Sequence, residues 1–265
     1  MKLLLMSALL SFWMGVAEAA DQFSEGWHFR ASIYAWLPSI SGVSNFPESG
    51  STVDVDAQDI LKNLSTVFMG NFEVRKNQWG LFTDLVYLEA KDSKSGTQDA
   101  SFNGQPLPAT ATADLSYELT ATVWNLVGTY LVVDDSEFTL SVLSGLRLLD
   151  LKQNVVWTVS GDVGSYPLPA RSGDNTARLT NSDFVVGVKG RFSFGEGNRW
   201  VAPYLFDVGT GQSDFTTQAV LGFGYNFGWG DVGVLWRYLK YDMASSSEIR
   251  NLAASGPAIG VDFVW

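Results

Sequence analysis

The sequence predicts an all-β fold: a transmembrane antiparallel up-and-down β-barrel of ten strands that follows a cleaved signal peptide. Three observations predict it. The N-terminus is a short apolar leader with no membrane helix after it, ten segments alternate apolar and polar residues with period two, and the connections between those segments alternate between tight and long.

The leader comes first. Lys2 gives a positive start, residues 3–16 are an apolar run, and Ala17-Glu18-Ala19 is a small-x-small cleavage signal. The run is short for a membrane span, so residues 1–19 read as a signal peptide and residues 20–265 as a single exported barrel domain. No later stretch approaches the roughly 18 consecutive apolar residues of a membrane helix. A closed barrel is the other shape that satisfies every backbone group in lipid.

The first strand, residues 27–37, shows the alternation plainly. Trp27, Phe29, Ala31, Ile33, Ala35 and Leu37 form an apolar face, while His28, Arg30, Ser32, Tyr34 and Trp36 form a polar and aromatic one. The same pattern predicts strands at 65–76, 79–90, 114–132, 137–153, 182–194, 199–213, 216–227, 231–243 and 253–265. In the third, Trp79, Leu81, Thr83, Leu85 and Tyr87 lie opposite Asp84; in the last, Ile259, Val261, Phe263 and Trp265 lie opposite Ala258, Gly260 and Asp262.

Long connections are expected at 38–64, 91–113, 154–181 and 244–252, and short ones at 77–78, 133–136, 195–198 and 228–230. The join near Asp214-Phe215 is short where the alternation asks for a long one. Tight turns belong at the periplasmic end of such barrels and longer connections outside the cell. Ser49, Gly104 and Gly173 are therefore expected outside, and Asn77 and both termini at the periplasmic end. Trp27, Trp79, Phe194, Trp200, Phe227, Trp229 and Trp265 all fall at predicted periplasmic strand ends, where aromatic rings suit the headgroup level. A soluble β-sandwich would leave the leader and the turn alternation as coincidences.

Composition narrows the function. A net charge of -11 with no cluster of Lys and Arg argues against nucleic-acid binding. The absence of cysteine removes disulfides, thiolate metal sites and thiol catalysis, and no cofactor is expected. His28, the single histidine, sits at the periplasmic start of the first strand and reads as a lumen-facing structural residue. No Gly-x-Ser-x-Gly elbow occurs. Asp54, Asp56 and Asp59 lack the glycine and terminal glutamate of a calcium loop; Asp56 reads better as the N-cap of a short helix carrying Ile60, Leu61 and Leu64. Gly222-x-Gly224 lies within a strand and is no phosphate loop.

The interior carries the most chemistry. Taking the polar side of each strand as inward, the lumen is expected to hold Arg30, Arg75, Arg147, Lys189, Arg191 and Arg237 against Glu73, Asp84, Glu118, Asp183, Asp207 and Asp262. Six cations against six anions predicts interlocking pairs, since an unpaired buried ion costs several kcal/mol. Tyr34 and Trp36 are expected to lean over a wall of small residues, Gly222, Gly224, Gly233, Gly256 and Gly260, leaving a cleft beside it.

The segments 34–42 (YAWLPSISG), 79–90 (WGLFTDLVYLEA), 145–151 (GLRLLDL), 236–242 (WRYLKYD) and 256–265 (GPAIGVDFVW) resemble a group of poorly characterised bacterial outer-membrane β-barrel proteins. The resemblance implies a barrel and brings no substrate or catalytic residue. Val261, Phe263 and Trp265 resemble the C-terminal signal read by the outer-membrane assembly machinery, with Trp where Phe is the more usual last residue. The partners so implied are that machinery, outer-membrane lipids and lipopolysaccharide. Three roles are then ranked: a non-enzymatic envelope barrel with binding loops, a narrow solute channel, and a lipid- or protein-hydrolysing enzyme. A one-signed lumen would favour the channel, and histidine near an external Ser or Asp the enzyme.

Overall fold

The computed structural model describes residues 26–44, 51–102, 105–163, 166–243 and 249–265. The proposed signal peptide, Ser49 and Gly104 lie outside the described residues. Among the described residues there are twelve strands: β1 (Trp27–Trp36), β2 (Ser39–Ser44), β3 (Ser51–Val55), β4 (Leu64–Lys76), β5 (Trp79–Phe102), β6 (Gln105–Asp134), β7 (Phe138–Val163), β8 (Tyr166–Phe194), β9 (Trp200–Gly211), β10 (Ser213–Asn226), β11 (Gly230–Met243) and β12 (Ile249–Val264). One short helix, α1 (Ala57–Asn63), joins β3 to β4.

Ten strands form a ring, β1 followed by β4 to β12 in chain order, and pairing of β1 with β12 closes it. The ten expected strands are thus the ten in the wall. Side chains select this arrangement: Phe82, Asp84, Val86, Leu88 and Ala90 are buried along β5, while Trp79 and Leu81, of the opposite parity, are 71% and 48% exposed. An apolar exposed wall and a filled interior is the pattern that lipid outside imposes.

At one end the joins are tight. Asn77 turns with φ 54, a left-handed conformation asparagine tolerates, and Gly228 turns with φ 90, where a side chain would be strained. Asp135 closes its turn by donating its N–H to the Phe138 carbonyl at 2.9 Å. The aromatic residues expected at this end form a girdle: Trp265 stacks on Phe29 at 5.9 Å, Trp79 meets Tyr130 at 4.9 Å, Trp200 meets Phe223 at 5.2 Å and Trp229 meets Phe263 at 5.6 Å. Gln212 alone separates β9 from β10, so the join near Asp214 is the tight one the residues suggested.

The other end departs from expectation. Most of 91–113 and 154–181 is not loop: β5 runs to Phe102, β6 starts at Gln105, β7 runs to Val163 and β8 starts at Tyr166. These strands continue above the hydrocarbon, where neither face is selected for apolar residues, so alternation fades while pairing goes on. Thr97 and Thr112 hydroxyls lie 3.0 Å apart, and Thr110 donates to Asp162 at 2.7 Å. The result is a tall four-stranded sheet standing over the barrel mouth. Helix α1 begins after Asp56 as expected, but Asp56 makes no side-chain cap and Leu61 is 47% exposed, so the helix does not bury its apolar residues against the rim.

Gly173 carries the Trp157 ring over it; a Cβ there would lie 2.7 Å from the indole, so neighbouring Ser172 is the better probe of topology. A cysteine at Ser172 should react with an impermeant maleimide on intact cells, and one at Asn77 should react after permeabilisation alone. The opposite pattern would invert the barrel.

Candidate functional site

The lumen is built in three layers. The middle one is a circuit of six buried polar residues from six strands. Arg147 on β7 donates from Nε to Asn125 Oδ1 at 2.7 Å and from Nη2 to Asp207 Oδ1 at 2.6 Å. Asn125 on β6 donates from Nδ2 to Asp84 Oδ2 on β5 at 3.2 Å, and Arg237 on β11 donates to the same oxygen at 2.8 Å. Arg237 also donates to Gln218 Oε1 on β10 at 2.7 Å, and Gln218 Nε2 donates to Asp207 Oδ2 on β9 at 3.0 Å, which closes the circuit.

Each amide bridges a guanidinium and a carboxylate, presenting oxygen to the cation and nitrogen to the anion. Tyr34 braces the circuit, donating to Asp84 at 2.6 Å and accepting from Arg237 at 2.8 Å, while Arg147 also donates to Thr216 at 3.1 Å. All six members are 0–5% exposed. Two cations and two anions, each with several short partners, meet the condition under which buried charge is tolerated.

Below this layer, toward the tight turns, lies a cavity of about 310 Å³ lined by residues including His28, Arg30, Glu73, Arg75, Lys189 and Tyr204. Lys189 Nζ pairs with Glu73 at 2.5 Å and sits 4.1 Å from the Phe82 ring centre. Asp231 gathers Arg191 at 2.9 Å and Arg30 at 3.4 Å; Arg30 also reaches Asp262 at 3.4 Å, and Arg75 lies 3.8 Å from Asp134.

Above the circuit an apolar cluster fills one side of the lumen: Trp36, Met69, Val86, Val123, Leu149, Leu239 and Met243 are buried together with Tyr241 and Ala258. Beside it Asp183 has no ion-pair partner among the described residues; Asn181 and the N–H and hydroxyl of Ser213 donate to it at 2.6–2.8 Å. The Tyr241 hydroxyl is buried and makes no hydrogen bond with described residues.

Of the twelve charges expected in the lumen, eleven lie there and Glu118 does not. Its neighbours on β6, Val123, Asn125 and Val127, place odd-numbered residues inward. Glu118 is on the outer wall above the hydrocarbon, 3.1 Å from Lys91, which also pairs with Glu89 at 2.6 Å. Asp231 and Asp134 were missed. Asp231 shares the parity of Arg237 six residues later and was legible; Asp134 lies past an irregularity between Leu131 and Val133 that reverses the parity of β6, in a segment that reads as a turn.

The glycine wall is also corrected. Its cleft exists beside Tyr34, Gly224, Gly233 and Gly260 but holds about 70 Å³, so the larger cavity is the charged one below. Pro203 fills the space over Gly222, where a Cβ would meet it at 2.9 Å. Trp36 lies against Gly256, donating its indole N–H to that carbonyl at 3.2 Å, and belongs to the apolar cluster. Gly256 is required there, because a Cβ would lie 2.1 Å from the Leu37 carbonyl oxygen.

Among the described residues no group of three or more His, Asp or Glu is arranged to hold a metal ion. Asp59 pairs instead with Lys62 at 3.3 Å.

No protein-family model and no curated protein matches the sequence. Among solved structures the chain is similar to the translocator domain of the autotransporter NalP from Neisseria meningitidis, at 16% identity over 97% of both chains with a TM-score of 0.35. It is similar also to the outer membrane protease OmpT from Escherichia coli, at 8% identity over 92% of this chain and 98% of that one with a TM-score of 0.42. For the attachment invasion locus protein Ail of Yersinia pestis the identity is 8% over 91% of this chain and all 100% of that one, with a TM-score of 0.31. The class follows from the chain's own geometry: a closed antiparallel ring with an apolar outer wall, an aromatic girdle and tight turns at one end is an integral outer-membrane β-barrel.

Proposed function

We propose that this barrel is a non-enzymatic, non-conducting envelope protein whose tall external sheet of β5 to β8 is a binding surface for a ligand or partner. The observation that carries this reading is the sheet's length, strands of 24 to 30 residues beside wall strands of 10 to 16, raised on a lumen crossed by the buried polar circuit. A span of roughly 25 Å of hydrocarbon takes about 9–11 tilted residues, so more than half of each long strand is outside the membrane. Lipopolysaccharide is the lipid that surrounds this emergent wall, and Val261, Phe263 and Trp265 serve the assembly machinery.

A variant with residues 95–114 and 158–172 replaced by two-residue turns, closing the Lys94↔Leu115 and Trp157↔Gly173 rungs, should still form a heat-modifiable barrel. On an array of glycans and extracellular-matrix proteins, the full chain should bind and the shortened chain should not. Equal signal from both, or none from either, would contradict the proposal. For the non-enzymatic part, His28 lines the lower cavity among Arg30 and Arg75, at the periplasmic end. Purified protein is expected to show no lipase or protease activity that disappears in a folded His28→Ala variant. Such a loss would overturn that part of the proposal.

A further inference from the structure

The wall is not evenly sealed. The ladder between β1 and β4 runs from Trp27↔Lys76 to Ile33↔Gly70 and stops there. On its other edge β1 stays paired with β12 to Trp36↔Ala258, and β2 carries the same register on from Ser39↔Ser255. Leu37 donates to the Pro257 carbonyl at 2.9 Å, so alternation points Trp36 and Pro38 toward β4. Neither finds a strand partner there. The Trp36 N–H meets the Met69 thioether, a weak acceptor, at 3.1 Å, and Pro38 has no N–H to satisfy.

Exposure shows the consequence. Val67 and Leu88 are paired across β4 and β5 and both have inward parity, yet Leu88 is 5% exposed and Val67 is 47% exposed. Beside the end of the β1–β4 ladder, this exposed position is where the wall can open. Its height is set by the strand: Ile33 and Trp36 stand six and nine residues above Trp27, about 15 and 23 Å at the usual rise and tilt. That is the outer-leaflet half of the hydrocarbon. Ile33, Phe68 and Ile259 are exposed around it, and the buried apolar cluster of Trp36 and Met69 forms its floor.

We infer that the β1–β4 seam is a lateral docking slot for one hydrocarbon chain of an outer-leaflet lipid. The outside of the slot is bathed in acyl chains, its floor is apolar, and the buried ion circuit beneath it bars the way to the periplasm. The slot is a feature of the wall and stands or falls independently of what the external sheet binds.

The test places the full chain in phosphatidylcholine vesicles containing a minor share of phosphatidylcholine with a diazirine midway along one acyl chain. After illumination, mass spectrometry maps the adducts. Adducts are expected on inward-facing Val67 and Met69 as well as on outward-facing Phe68 and Phe72. Ala35 and Phe68 would be opposite one another if the ladder continued, and the chain has no cysteine of its own. An Ala35→Cys/Phe68→Cys disulfide should therefore abolish the adducts on Val67 and Met69 and leave those on Phe72. Adducts confined to outward-facing residues of the unmodified chain, or inward adducts untouched by the formed disulfide, would overturn the inference.

Discussion

Arg147→Ala is expected to destabilise the folded barrel by about 3–5 kcal/mol, read from denaturant unfolding in detergent micelles. The substitution removes three hydrogen bonds, to Asn125, Thr216 and Asp207, and leaves the Asp207 carboxylate buried with Gln218 as its remaining side-chain donor. The cost comes from that stranded charge more than from the lost contacts. A double Arg147→Leu/Asp207→Leu variant should therefore recover much of the loss, since a buried pair exchanged together for apolar residues is often neutral. Arg147→Lys should recover less, because an ammonium is a point charge and cannot span Asn125, Thr216 and Asp207 as a planar fork does. A single variant as stable as the parent would show that the circuit carries no such constraint.

Deleting Phe263 to Trp265 should reduce the barrel in the outer membrane to a small fraction of its normal level. The Phe29–Trp265 backbone pair, at 2.9 and 3.1 Å, is the lowest rung of the closure between β1 and β12. Arg30↔Val264 and Ala31↔Phe263 are the next two. Removing them opens the seam at the periplasmic rim and strips the Trp265–Phe29 and Phe263–Trp229 ring contacts. An open sheet edge in or beside lipid has no partner for its backbone groups. Undiminished heat-modifiable protein in the outer-membrane fraction would contradict both the closure argument and the reading of these residues as an assembly signal.

The wall was legible in the residues because lipid enforces a strict code. Ile33, Leu81, Phe206 and Ile259 had to be apolar, and each flags the parity of its strand. The code stops where the lipid stops. Above it β5 to β8 keep their ladder with Thr, Ser and Asp on both faces, so those strands read as loops. The same change misplaced Glu118, whose polarity marked water outside the wall rather than the lumen.

Inside the barrel, charges announced themselves but their connections did not. Asn125 and Gln218 complete the circuit as neutral relays, and a count of ions passes over them. The upper lumen departs from the expected code for the opposite reason: Met69, Leu149 and Leu239 face inward, where polarity is the expected mark of the interior. The β1–β4 slot depends on where one ladder ends, and Pro38 is the single local sign of it.

Planar-bilayer recording of the folded, purified protein tests the sealed lumen most directly. With all six circuit residues 0–5% exposed, the unmodified barrel should insert without steady conductance, and Arg147→Ala or Asp84→Ala should add intermittent leak. A large, continuously open conductance in the unmodified protein would contradict the account and make the barrel a channel.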